Sequence, residues 1–316
     1  MAPLTSTFTM GISDQDGFTT PDPRRRRRLL DRVEKAGLDH VSVGDHISFH
    51  DGSGFDGMIT ANTMLSSHDR LSVLIGIYLL GLRHPMATAR QLSTLSQAAP
   101  GRLTLGVGVG GEDRREVSNA GVDPRTRGRR LDEALMLVRR LLAGEEVSHQ
   151  GEFFQLDEAR ILPAPDPGIP IVIGGKGEVA VRRTAESGDG WLGIFCSARR
   201  FAETRERILD AASALDRPTP SWFGVNVWCG LDGDPRVARE LLAAKMQGLY
   251  HLPYEKFRYI APAGTPEQVA EFLLPFVESG AGHITVIPVG SSVEAEIDAV
   301  AALREQLGTA VGTARE

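Results

Sequence analysis

A carboxylate and an imidazole stand side by side at Asp45-His46, directly after a short apolar run. A histidine titrates near neutral pH, so it can donate a hydrogen bond or move a proton during catalysis. The same residue types also suit a second role, in which His46 holds a loop in place. Asp45 either orients His46 or contacts a ligand, and the residues alone leave both pairs of roles open.

Glycine is concentrated in a second stretch, Gly174-Gly175-Lys176-Gly177, which lies between an apolar run and a helix predicted over 178–186. Free backbone N–H groups before a helix N-terminus form an anion site suited to phosphate. Lys176 either adds positive charge or points to water. A tight turn needs only one or two glycines, so three in four residues favour phosphate binding.

A third stretch, Leu103–Glu116, begins as a strand and continues with glycines at 106, 108, 110 and 111. Glycines at a strand end expose backbone to a close-lying ligand. They are equally typical of a plain strand–loop junction. The choice depends on whether other strands end in the same way.

The elements that must position these stretches follow from the apolar pattern. Eight runs predict strands at Phe8–Ile12, His40–Gly44, Leu71–Leu80, Leu103–Val109, Ile171–Ile173, Gly190–Phe195, Trp222–Cys229 and His283–Pro288. Helical patterns separate them, and this alternation favours parallel pairing in a (β/α)₈ TIM barrel. The alternative, a doubly wound open sheet, usually carries a GxGxxG motif after its first strand, and none follows Ile12.

We expect one domain over 1–316, with insertions after the fourth and seventh strands. Residues 147–162 read as an inserted β-hairpin, with strands at Glu152–Phe154 and Ala159–Leu162, and the tail 308–316 is expected to fray. The active site of a TIM barrel lies at the C-terminal ends of its strands. Asp45-His46 and both glycine stretches are therefore predicted to share one rim.

Composition limits the classes of partner. The formal net charge of −6 disfavours nonspecific binding to nucleic acid or to an anionic membrane. We interpret the five arginines at 24–28 as a solvated helix face. No apolar run is long enough to span a membrane, and residues 1–10 lack the pattern of a signal peptide. Two cysteines without metal-like spacing indicate a reduced, cytoplasmic protein with no metal site.

Seven motifs, in order, resemble those of the bacterial luciferase-like flavin and deazaflavin oxidoreductases. They are Gly37–His46, Leu82–Leu95, Gly101–Gly110, Arg127–Glu133, Gly151–Phe154 with Pro163, Pro170–Lys176 with Ser187–Trp191, and Gly264–Gln268.

The resemblance implies a TIM-barrel oxidoreductase that binds FMN or the 8-hydroxy-5-deazaflavin coenzyme F420 in the barrel mouth. The cofactor phosphate is then expected at Gly174, Gly175, Lys176 and Gly177. A non-proline cis peptide, which we place at Gly76-Ile77, is expected to back the ring. Residues that line the ring edge or side chain are expected at Val107, Gly108 and Gly110.

Coenzyme F420 is favoured because Asp45-His46 matches the deazaflavin branch, in which the Asp meets the cofactor and the His faces the hydride-transfer site. Luciferases place their histidine in an acidic-His-His-Phe setting, which this chain lacks. Deazaflavin members often carry an acidic residue after the fourth strand. Glu112 is the nearest candidate for a proton donor, although it lies one residue late.

Three alternatives remain open. The first is an FMN-dependent monooxygenase, which usually relies on a separate reductase. The second is a noncatalytic flavin-binding protein, and the third is a phosphosugar isomerase that uses the same glycine loop. We expect a homodimer that acts on a small organic molecule. Aromatic residues in the loops at 48–58 and 248–263 suggest an apolar substrate, but they equally suit the packing of a lid or a dimer contact.

Overall fold

The computed structural model describes residues 8–13, 15–110, 113–215 and 217–313. The strands are β1 (Thr9–Ile12), β2 (His40–Val43), β3 (Ser72–Tyr78), β4 (Leu103–Val107), β5 (Val147–Gln150), β6 (Gln155–Ala159), β7 (Ile171–Gly174), β8 (Gly190–Ile194), β9 (Trp222–Leu231), β10 (Ala263–Gly264) and β11 (His283–Val289). The helices are α1 (Gln15–Phe18), α2 (Pro23–Lys35), α3 (Gly57–Ser67), α4 (Pro85–Ala98), α5 (Arg114–Asn119), α6 (Arg127–Leu142), α7 (Gly177–Ser187), α8 (Ala198–Ala214), α9 (Pro235–Tyr250), α10 (Pro266–Glu278) and α11 (Val293–Thr313). Short 3₁₀ turns cover Leu80–Leu82 and Tyr254–Lys256.

The main sheet follows the order β10-β9-β11-β1-β2-β3-β4-β7-β8, and β8 also pairs with β9. That last pairing returns the sheet to its start, so eight strands close into a parallel barrel and the short β10 adds to β9. An open doubly wound sheet would leave two free edges. The predicted TIM barrel is therefore confirmed.

The chain divides into two compact units. The first contains Met1–Ser42, Leu192–Asp210 and Trp222–Glu316, and the second contains Val43–Trp191 and Ala211–Ser221. The expectation of one domain stays a prediction.

Two histidines of the first unit bond to threonine hydroxyls, and of these His40 is buried and His283 is half-buried. His40 Nε2 lies 2.9 Å from Thr285 Oγ1, and His283 Nδ1 lies 2.8 Å from Thr9 Oγ1. A Cβ at Gly11 would lie 2.3 Å from the His40 ring, so only glycine fits there. Burial lowers the pKa of each histidine to about 4, which keeps both rings neutral at physiological pH.

An aromatic cluster also belongs to the first unit. Trp228 and Phe257 pack with Leu242 and Met246, and Phe195, Tyr250 and Tyr254 lie against them. Tyr259, by contrast, is 69% exposed. Most of the aromatic side chains of the 248–263 loop therefore contribute to this cluster.

In the second unit, the hairpin at 147–162 has different strands from those predicted. Its antiparallel pair is β5 with β6, so Glu152–Phe154 is the connection instead of a strand. The Glu133 carboxylate explains the difference, because it accepts hydrogen bonds from the backbone N–H groups of Phe153 and Phe154 at 3.1 and 2.9 Å. A side chain of α6 therefore replaces the strand ladder that an apolar pair of phenylalanines would suggest.

Candidate active site

Asp45 follows β2, and hydrogen-bond donors surround its carboxylate. Its carboxylate accepts hydrogen bonds from the backbone N–H groups of Gly57 at 2.7 Å and Leu79 at 2.8 Å. The guanidinium of Arg83 donates two more, at 2.7 and 2.8 Å. Burial raises the pKa of Asp45, while Arg83 and the backbone N–H groups oppose that shift. The side chain has no exposed area, so these contacts define a structural role, and its contact with the cofactor stays a prediction.

His46 is the neighbouring residue, and its side chain is 34% exposed. Its ring Nδ1 lies 3.2 Å from both carboxylate oxygens of Glu116. The ring also lies 4.2 Å from the ring of Phe49, centroid to centroid. One nitrogen is therefore engaged by a buried carboxylate while part of the ring stays accessible, as an acid/base residue requires.

Glu116 belongs to α5 and is 1% exposed. Besides His46, its Oε1 accepts hydrogen bonds from the backbone N–H groups of Ile47 at 2.7 Å and Ser48 at 3.2 Å. Sequence reasoning missed this residue and selected Glu112, which lies outside the described residues together with Gly111. The signal was weak, because the two glutamates differ only in their position on either side of the helix start.

Gly54 allows the loop that follows His46 to pack against the His46 side chain. A Cβ there would lie 2.4 Å from the His46 Cβ, and the backbone has a φ of +122° that side-chain-bearing residues rarely adopt. The His46 backbone N–H donates to Phe55 O at 2.9 Å. His46 is therefore held from its backbone, its ring nitrogen and its ring face.

The cis peptide expected at Gly76-Ile77 is present. The pairing of β3 with β4 shifts register between Ile75 and Tyr78, around this bond. The Ile77 side chain lies over Gly108, which directly follows β4, and over Gly174, the last residue of β7. A Cβ at Gly108 would lie 2.0 Å from Ile77 Cδ1, and a Cβ at Gly174 would lie 2.8 Å from Ile77 Cγ2.

This contact changes the reason for glycine at these positions. Gly108 and Gly174 give clearance to a side chain of the protein itself. Gly110 has a φ of +61°, and a Cβ there would lie 2.8 Å from Leu79. The cofactor contacts proposed for Gly76, Ile77, Val107, Gly108 and Gly110 stay predictions.

The glycine loop after β7 opens into a cavity of about 290 Å³. Gly175 and Gly177 have φ values of +121° and +74°, and α7 begins at Gly177. The Trp191 indole N–H donates to Gly175 O at 3.0 Å, which fixes the turn. Residues 175–177 are exposed, so their backbone is accessible to a ligand.

Positive side chains line this cavity, namely Arg125, Arg127, Lys176 and Arg183. Arg183 is 4% exposed and its Nε donates to Asp132. The buried Nε of Arg127 has no acceptor within hydrogen-bond distance among the described residues. An unpaired buried donor beside a glycine turn and a helix N-terminus suits a phosphate group. The residues present therefore fit the phosphate of a nucleotide-like cofactor.

Neither a metal site nor a membrane-spanning helix is found among the described residues. They contain no group of three or more His, Cys, Asp or Glu side chains placed to hold a metal ion. Among the same residues, no helix combines the length and the apolar character needed to cross a membrane.

The model of the luciferase-like monooxygenase family matches residues 5–263. The chain therefore belongs to the luciferase-like monooxygenase family, as its motifs predicted.

One curated relative and two solved structures illustrate what the chain is similar to, the structures in fold alone. An F420-dependent glucose-6-phosphate dehydrogenase of Beutenbergia cavernae is 30% identical over 231 residues, which cover 71% of this chain and 68% of the relative. The structure of an F420-dependent secondary alcohol dehydrogenase, solved with an F420–acetone adduct, superposes with a TM-score of 0.83 at 20% identity, covering 95% of this chain and 99% of the other. The oxygenating constituent of a type II Baeyer–Villiger monooxygenase from Pseudomonas putida, solved with FMN, gives a TM-score of 0.76 at 14% identity, covering 96% and 98%.

Proposed function

We propose that this protein is an oxidoreductase that uses coenzyme F420 to transfer hydride to or from a small organic substrate. The observation that carries the proposal is the partly exposed His46 ring, held by the buried Glu116 at a barrel strand end. The F420-dependent dehydrogenase of Beutenbergia cavernae supports the choice of cofactor, since it is similar to this chain over more than two thirds of both.

The cofactor phosphate would be held by the turn Gly174–Gly177, with Arg127 supplying the unpaired donor. The ring would lie beside the residues where β3 and β4 end, near Ile77 and Gly108. When bound, a deazaflavin would supply hydride transfer: an alcohol that gives a hydride to the cofactor and a proton to the protein becomes a carbonyl compound. The reverse transfers restore the alcohol. The protein contributes placement and the handling of the proton.

His46 would handle that proton. Its Nδ1 faces Glu116, which leaves Nε2 as the atom able to exchange a proton with a substrate oxygen. An imidazole in this position acts as base toward an alcohol and, once protonated, as acid toward a carbonyl compound. Glu112 is proposed as a second proton donor in addition to His46.

The second candidate function is an FMN-dependent monooxygenase served by a separate reductase. The fold that the chain shares with the FMN-bound Pseudomonas putida enzyme favours it. The cation-lined cavity is suited to the phosphate of either cofactor. The two candidate functions therefore differ in the cofactor ring and the reaction, and the phosphate site does not distinguish them.

We also propose a cytoplasmic homodimer. Ile47, Phe55 and Ile59 are 45%, 41% and 65% exposed and lie within one stretch of the second unit. Apolar side chains that remain exposed together favour a protein contact. Analytical ultracentrifugation tests this proposal, which predicts about twice the 34.2 kDa mass of one chain.

A substrate screen tests the catalytic proposal. Reduced F420 is incubated with the protein and a panel of ketones, aldehydes, enones and imines, and the return of absorbance of the oxidised cofactor is followed. His46→Ala should lower kcat by about 10²–10⁴-fold and leave the Kd for F420 within about 3-fold. Unchanged turnover in His46→Ala would remove His46 from the mechanism.

A further inference from the structure

Glu116 is a buried carboxylate whose contacts exceed what loop anchoring needs. Its residue is 1% exposed, and a buried carboxylate is costly unless donors surround it. Two backbone donors, from Ile47 and Ser48, reach the same oxygen, Oε1. The His46 ring nitrogen Nδ1 is equidistant from Oε1 and Oε2, at 3.2 Å from each. The carboxylate therefore spans a loop backbone and an aromatic ring.

We infer that Glu116 is a positioning residue that fixes His46 as the Nδ1–H tautomer and thereby reserves Nε2 for the substrate. This inference rests on the proposed role of His46 as the acid/base group. A carboxylate has only acceptor atoms, so the ring nitrogen that faces it must carry the hydrogen. In the neutral ring, the lone pair then belongs to Nε2.

Asp113, three positions before Glu116, shares its loop-anchoring role but not its contact with the His46 ring. Asp113 Oδ2 accepts a hydrogen bond from the backbone N–H of His50 at 2.9 Å, in the same loop. Its Oδ1 caps α5 through the backbone N–H of Arg115 at 2.8 Å. Asp113 therefore anchors the loop to α5 as Glu116 does, but its hydrogen bonds go to backbone groups.

The proton balance shows why the tautomer matters. When His46 accepts a proton from a substrate hydroxyl at Nε2, the ring becomes an imidazolium with N–H groups on both sides. Its Nδ1–H stays bonded to the Glu116 carboxylate, whose negative charge faces the new positive charge. With the opposite tautomer, Nε2 already carries a hydrogen and cannot accept another. Glu116 thus selects the tautomer and stabilises the ring after proton transfer.

Glu116→Gln reverses this arrangement without changing the size of the side chain. The backbone N–H groups of Ile47 and Ser48 keep the amide oxygen at the Oε1 position. The amide NH₂ then occupies the Oε2 position, 3.2 Å from Nδ1 in the parent structure, and donates to it. The amide oxygen at Oε1 already accepts two backbone N–H groups, whereas the NH₂ has only the His46 ring to donate to. The ring is therefore expected to accept at Nδ1, and the variant is expected to hold the Nε2–H tautomer.

Histidine-selective ¹⁵N labelling of the ligand-free, 316-residue protein tests the inference. Two-bond ¹H–¹⁵N spectra are recorded at about pH 8.5, where imidazoles are neutral. The signals of His46 among the eight histidines are identified from their loss in His46→Ala. The wild-type ring should show a protonated Nδ1 and a bare Nε2, Glu116→Gln should show the reverse, and Asp113→Asn should match wild type.

Turnover of the substrate found in the screen gives the second readout. Glu116→Gln should lower kcat by about 10²–10³-fold, with KM changed by no more than about 3-fold, because the wrong tautomer disables proton transfer. Asp113→Asn should keep kcat within about 3-fold.

A wild-type ring with hydrogen on Nε2, or a tautomer unaffected by Glu116→Gln, would overturn the inference. If Glu116→Gln fails to fold, the wild-type spectrum still provides a test, because hydrogen on Nε2 overturns the inference and hydrogen on Nδ1 supports it. A protein that binds no F420 but shows the expected tautomers contradicts the proposed function alone. Intact F420-dependent turnover with the opposite tautomer contradicts this inference alone.

Discussion

Asp45 and Arg83 face each other through two parallel N–H···O bonds of 2.7 and 2.8 Å, with the Asp45 side chain fully enclosed. Arg83 also donates to Asp56 Oδ2 at 2.8 Å, and Asp56 caps α3 through the backbone N–H groups of Met58 and Ile59. The pair therefore ties the ends of β2 and β3 to the start of α3. His46 directly follows Asp45, so its position depends on the contact between Asp45 and Arg83.

Removing the guanidinium should destabilise the protein strongly. Arg83→Met is expected to lower the free energy of unfolding by about 3–5 kcal/mol, because it leaves a buried carboxylate without its counter-charge. Urea unfolding measures the loss. The matched control is Arg236→Met, which breaks a two-bond contact with Asp234 in which the Arg236 side chain is 86% exposed. The control should change stability by less than about 1 kcal/mol. Equal losses in the two variants would contradict the structural role of the buried pair.

Gly108 and Ile77 should behave as a coupled pair. Gly108→Ala places a methyl group 2.0 Å from the present position of Ile77 Cδ1, and overpacking of this kind costs about 1–3 kcal/mol. Ile77→Val removes that Cδ1 atom. The double variant should therefore lose less stability than the sum of the two single variants. Additive losses, measured by urea unfolding of all four proteins, would show that Ile77 does not occupy the space over Gly108.

Arg127 should contribute to binding through the cofactor phosphate. Arg127→Gln is expected to weaken F420 binding about 10-fold, because a charge-assisted hydrogen bond to phosphate is lost. The Kd for a dephosphorylated deazaflavin should not change. Arg140→Gln is the control on the same helix, since Arg140 pairs with Glu145 at 2.8 Å. Equal effects of Arg127→Gln on both ligands would move the phosphate site elsewhere.

Acid should destabilise the first unit through His40 and His283, whose pKa values burial lowers. The pKa of His40 is about 4 in the folded protein and about 6.5 in an unfolded chain, so the unfolded state binds more protons between these values. Stability is therefore complete above about pH 6.5 and is lost as the pH falls toward 4. His40 alone should cost about 2 kcal/mol between pH 8 and pH 5, and His283 adds to the loss in the same direction.

Urea unfolding at a series of pH values measures this dependence. His40→Gln removes the titrating ring and retains a group able to bond to Thr285. The slope of stability against pH should become smaller in that variant. An unchanged slope would assign the acid sensitivity to other groups.

Much of the architecture could be predicted because it follows from local patterns. Eight apolar runs gave the barrel strands, and the glycines at 174–177 marked a turn with φ values that glycine favours. Asp45-His46 could be selected as a candidate pair because active sites of TIM barrels lie at strand ends. These features depend on residues close together in the chain.

The partners of those residues were not predictable in the same way. Glu116 reaches His46 across 70 positions, and Arg83 reaches Asp45 across 38. Such contacts depend on where a helix starts and on side-chain rotamers, which periodicity does not specify. The hairpin strands were misplaced for the same reason, because the distant Glu133 holds the Phe153–Phe154 connection.

A fluorescence titration of the purified protein with F420 and with FMN tests the choice of cofactor. We predict saturable F420 binding with a Kd at least about 10-fold below that for FMN, and about 10-fold weaker F420 binding in Arg127→Gln. Tight binding of FMN with no binding of F420 would exclude the F420-dependent function and support the monooxygenase.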